Sequence, residues 1–102
     1  MQLPEHVKIG GFDWTIHENQ DVAREGNIFG STHFTTQKIF IEPGLPEQKR
    51  DQTLLHETMH AIWWQTGLER IVEDKKLEEK IIHALSMGLY QVLKDNNLPF
   101  GK

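Results

Sequence analysis

Thr53-Leu54-Leu55-His56-Glu57-Thr58-Met59-His60-Ala61-Ile62 lies inside a run from Glu47 to Gln65 that holds no glycine or proline. Pro46 suits the first turn of a helix, where its missing N–H costs nothing, and Gly67 stands where a C-terminal cap is expected. The run therefore predicts one helix. On it, His56 and His60 stand one above the other, so both imidazoles can reach a single ion from a rigid support. Glu57 is rotated by about 100° from His56, beside such an ion, where it can take a proton from water instead of ligating.

Leu54, Leu55, Thr58, Ala61 and Ile62 take one broad side of the helix, and His56, Met59, His60 and Trp63 the other. A helix apolar nearly all round is a buried helix. Two buried imidazoles with no acid or hydroxyl in their own row need a partner, and a metal ion supplies one. The chain has no cysteine, so the donors must be histidine nitrogen and carboxylate oxygen. Zinc is the usual ion for such a pair. A third histidine ligand after a glycine would require Gly at position 63 and His at position 66, but the chain has Trp63 and Thr66.

A second helix, from about Glu73 to Asp95, offers a carboxylate. Stepping about 100° per residue, Ile81, Ile82, Leu85, Leu89, Val92 and Leu93 fall within about 60° of Glu78. An acid at the centre of a core-facing stripe is costly unless it is paired or holds a cation. Glu78 is therefore the expected third ligand and Glu79 the reserve, with His83 and His33 as lesser candidates. Two histidines and one carboxylate leave a fourth position on zinc for water, the arrangement of a catalytic site. His33 and Tyr90 are candidate substrate or oxyanion contacts. His6 and His17 occupy polar strand positions and read as surface histidines.

The preceding residues read as strands. His6–Ile9 and Phe12–His17 alternate around Gly10-Gly11, Ile28–Phe34 is a third candidate, Thr35-Thr36-Gln37 a turn, and Lys38–Ile41 a fourth strand. Residues 18–27 read as a polar connection. The expected fold is α+β: a small N-terminal, mostly antiparallel sheet of three to four strands packed on the His56–His60 helix and on a second long C-terminal helix. At 102 residues the chain fits one domain, 1–102. Its net charge of −4, with lysines and arginines interspersed among acids, argues against nucleic acid as a ligand. No apolar run approaches the roughly 20 residues that span a bilayer, and the first residues lack the layout of a secretory signal. The expectation is a cytoplasmic protein without a membrane partner.

Residues 53–62, with Ile39-Phe40-Ile41-Glu42 before them and Leu77-Glu78-Glu79-Lys80-Ile81-Ile82 after, resemble the ImmA/IrrE-type metallopeptidases, and more narrowly their short phage and prophage members. The size and ligand set are also similar to minimal gluzincins. The resemblance implies zinc on His56, His60 and a glutamate matching Glu78, with Glu57 as general base. It also implies a substrate cleft bordered by the strand before the helix, about His33 to Ile41. Relatives of this type cut repressors or other regulators, so the implied partner is a protein or peptide substrate, in the host cytoplasm if the chain is phage-encoded. Where larger relatives carry Ala-Asn after the ligand glutamate, this chain has Ile81-Ile82, and it lacks their additional helices. The alternative is a catalytically silent zinc-binding phage regulatory protein that acts by partner binding.

Overall fold

The structure is a computed structural model that describes residues 3–18 and 29–97. Val7-Lys8-Ile9 and Trp14-Thr15-Ile16 alternate apolar and polar side chains, and they pair as an antiparallel hairpin of β1 (His6–Ile9) and β2 (Phe12–Glu18). Gly10 and Gly11 make its two-residue turn with φ of +57° and +87°, a backbone that side chains with a Cβ resist. A second antiparallel hairpin joins β3 (Gly30–His33) to β4 (Lys38–Ile41) through the turn at Phe34–Gln37. The polar connection expected over residues 18–27 falls almost wholly outside the described residues.

The two hairpins join by a parallel pairing of β2 with β4, giving a four-stranded mixed sheet in the order β1-β2-β4-β3. Two of the three pairings are antiparallel, in line with the mostly antiparallel sheet expected, and the parallel pairing of β2 with β4 is the feature not expected. Periodicity reports each strand but not which strands become neighbours, and here two local hairpins meet through their inner strands. β4 thereby loses both of its edges, and β3 becomes an edge strand.

Three helices follow: α1 (Glu47–Gln65), α2 (Leu68–Ile71) and α3 (Lys75–Asp95). The short α2 has no counterpart among the expected elements. Asp74 caps α3, its side chain accepting from the backbone N–H of Lys76 and Leu77. Ile9, Trp14, Ile16, Ile39 and Ile41 from one sheet face bury against Leu54 and Ala61 of α1. Each such side chain contributes about 1.5–3 kcal/mol. Gln65 ties the end of α1 to the hairpin, accepting from Trp14 Nε1 at 3.0 Å and donating to the Ile9 carbonyl.

α3 packs against α1, on the side away from the sheet. Only part of its apolar stripe is covered: Ile82 is buried, but Leu85 and Val92 are 58% and 51% exposed. α1 is the one long helix available to α3 among the described residues, and one neighbour covers a narrow strip. Ile62, on the side of α1 read as apolar, is likewise exposed, while Trp63 is buried.

Candidate metal centre

The spacing of His56 and His60 brings their rings to 5.0 Å between centroids and their Nε2 atoms to 3.3 Å. α3 crosses this face of α1 with its first turns, so two adjacent glutamates meet the pair. Glu79 Oε1 lies 2.8 Å from His56 Nε2, and Glu79 Oε2 lies 2.9 Å from His60 Nε2. One donor atom each from His56, His60 and Glu79 falls within 4.8 Å of the others. Glu78 meets a different atom: its Oε2 is 3.1 Å from His60 Nδ1. The carboxylate at the two Nε2 atoms is thus Glu79, where the stripe geometry pointed to Glu78.

The proton count of this cluster fits a cation. A neutral imidazole carries one N–H. If His60 donates that proton from Nδ1 to Glu78, its Nε2 turns a lone pair toward a carboxylate oxygen of Glu79. Two imidazole nitrogens and two carboxylate oxygens converging at about 3 Å need shared protons or a positive ion between them. Nitrogen and oxygen donors without sulfur suit several divalent first-row ions, zinc among them.

Glu57 shares a cleft with the two histidines, reaches β3 of the sheet and is 8% exposed. Thr32 of β3 donates to its Oε1 at 2.7 Å. Burial holds the Glu57 carboxyl above the usual carboxylate range, opposed by the Thr32 hydrogen bond and by the nearby His60 and His56. Thr32 had no signal as a site residue, whereas His33 was expected there. Side chains alternate along a strand. Because Thr32 faces α1, His33 must face the other way, where its ring packs edge-on to Phe40 at 4.7 Å between centroids. Tyr90 is displaced too, lining an adjoining groove with Pro46, Lys49 and Lys94.

The cluster opens into a cleft of about 670 Å³ lined by Phe29 and Gly30 on one side and by Glu79, His83 and Met87 on the other. His83, four residues beyond Glu79, places its ring 6.2 Å from that of His56. The i, i+4 relation of Glu79 and His83 was readable once Glu79 was placed. Trp63, placed by the sequence on the histidine side of the helix, does not line this cleft.

Gly30 lets β3 approach α1. A Cβ there would lie 2.8 Å from Thr53 Cγ2 and 2.9 Å from Glu57 Cγ. Gly30→Ala should therefore cost about 1–3 kcal/mol of stability by overpacking. Thermal unfolding of the metal-free protein should show a fall in Tm of roughly 4–8 °C per kcal/mol. An unchanged Tm would mean that strand and helix yield to the added methyl group.

No helix of the described residues is long and apolar enough to cross a membrane. Compared with protein-family models, curated proteins and solved structures, the chain returns no match.

Proposed function

We propose that the chain is a zinc-dependent metallopeptidase that hydrolyses peptide bonds in a protein substrate, with His56, His60 and Glu79 holding the metal and Glu57 as general base. The observation that carries this reading is the convergence of three donor atoms beside a buried, separately held carboxylate in one open cleft. Its likeness to the ImmA/IrrE type in residues 53–62 and 77–82 supports the same reading, with the ligand moved by one residue.

A divalent cation bound there would supply Lewis acidity toward a carbonyl and acidify water. Thr32 occupies Oε1 of Glu57, so Oε2 takes the proton from water as oxygen adds to the peptide carbon. Glu57 then gives that proton to the amide nitrogen as the C–N bond breaks. A carboxyl raised by burial is the better proton acceptor for it. His83, on the far wall, replaces His33 and Tyr90 as donor to the developing oxyanion.

Substrate placement moves as well. Within the stretch expected to border the substrate cleft, about His33 to Ile41, β4 (Lys38–Ile41) is paired on both sides, so no extended peptide can add to it. Among the described residues, β3 has one free edge. Phe29 accepts from Glu42 N–H at 2.8 Å, and alternation along an antiparallel pair then leaves Gly30 and Thr32 with N–H and C=O directed outward. An extended substrate adds to that edge, along the cleft wall.

The test is a zinc determination on untagged protein together with digestion of a mixed peptide library read by mass spectrometry. We expect one zinc per chain and discrete cleavage products that vanish with a chelator and return with zinc. Cleavage that persists after metal removal would overturn the reading. Bound zinc with no product from any peptide would favour the regulatory, partner-binding role.

A further inference from the structure

We infer that Glu78 is a positioning residue that fixes the proton of His60 on Nδ1 and so turns the Nε2 lone pair toward the cation site. This rests on His56, His60 and Glu79 being the metal ligands, and it gives the second glutamate a role of its own. Glu78 Oε2 lies 3.1 Å from His60 Nδ1, with the two side chains 9% and 15% exposed. The residue sits in the first turn of α3, where the helix dipole favours a negative charge. Lys75 Nζ stands 3.5 Å from Oε1, on a side chain that is itself 75% exposed. Oε1 has no hydrogen-bond partner among the described residues.

A carboxylate buried this deeply must be offset by a specific interaction. A surface lysine is a weak offset. The strong one is a charge-assisted hydrogen bond from the ring N–H of His60. Such a bond does three things to a ligating imidazole: it selects the tautomer, locks ring rotation and raises the basicity of the opposite nitrogen. Neighbouring glutamates thus divide two tasks. Glu79, rotated about 100° onward, reaches Nε2 across the opening of the cleft, while Glu78 reaches Nδ1 from below. Among the described residues His56 has no glutamate set this way, so the effect is confined to one of the two rings.

The experiment compares the full chain with Glu78→Met, which removes the acceptor at similar length, and with Glu78→Gln, which keeps shape and hydrogen bonding but not charge. Zinc affinity is measured by competition with a chromophoric chelator, and the His60 ring N–H is followed by ¹⁵N-resolved NMR in the zinc-loaded protein. The wild type should show a slowly exchanging His60 Nδ1–H, which Glu78→Met should lose to solvent exchange. Zinc binding should weaken by roughly 10–100-fold in Glu78→Met, and by less in Glu78→Gln. If Glu78→Met does not fold, a weaker zinc affinity and a shifted Nδ1–H in Glu78→Gln support the same role. Unchanged affinity and an unchanged ring N–H in a folded variant would overturn the role of Glu78 alone. A wild-type chain that takes up no zinc would overturn the metal centre itself, and that result is read before any variant is made.

Discussion

Glu57→Gln should leave one zinc on each chain and lower peptide cleavage by roughly 10²–10⁴-fold, the usual share of a positioned general base. Gln keeps the shape of the side chain and can still accept from Thr32, so the fold and the three donor atoms are undisturbed. It cannot take a proton from water. The pairing of retained metal with lost turnover separates a base from a ligand, and library digestion beside zinc determination reads both. A variant that still cuts would remove Glu57 from the chemistry.

The same substitution has a second consequence, in the metal-free protein. Burial raises the Glu57 carboxyl in the folded state above its unfolded value. Such a group adds stability that is full below the unfolded carboxylate range and is lost as pH rises through the folded value. At neutral pH the ionised side chain therefore weighs against folding, and Glu57→Gln should raise Tm. The gain should shrink as pH falls through the folded value and be gone below the unfolded carboxylate range. A functional acid held at some expense to stability is expected where a site is built for chemistry.

Much of this architecture was legible in the residues. The spans His6–Ile9, Lys38–Ile41 and Glu47–Gln65 follow from alternation, turn residues and the Pro46–Gly67 bracket, all of which act locally. The parallel meeting of β2 and β4 was not legible, because nothing in either hairpin encodes its neighbour. Nor was α2, because a single turn has no periodicity to detect.

At the site the same division holds. His56 and His60 need only one helix, and their convergence follows from its pitch. Glu78 is the inward-facing acid its stripe implies, for it is 7% exposed. The atom it meets depends on how α3 crosses α1, which no single-helix projection contains. In the same way His33 and Thr32 differ by one step along β3, and the facing of that strand is set by the Gly30 contact with α1. An error of one residue on a strand moves a side chain to the opposite face of the sheet.

Glu79→Gln should weaken zinc binding by roughly 10²–10³-fold, about one ligand's share of the ~10–16 kcal/mol found for four-ligand structural zinc sites. The Glu79 side chain is 58% exposed, so its loss should leave the metal-free fold within about 0.5 kcal/mol of wild type. That exposure makes the result readable: a fall in affinity cannot be ascribed to unfolding. Glu78→Gln acts from a buried position and through His60, so its effect on zinc should be the smaller of the two, and its effect on Tm the larger. Competition titrations and unfolding curves on both variants test the order. The reverse order would return ligation to Glu78 and make Glu79 a rim residue. Exposure itself favours the order stated here. A ligand beside an open coordination position must border the cleft that substrate enters, and Glu79 lines that cleft while Glu78 does not.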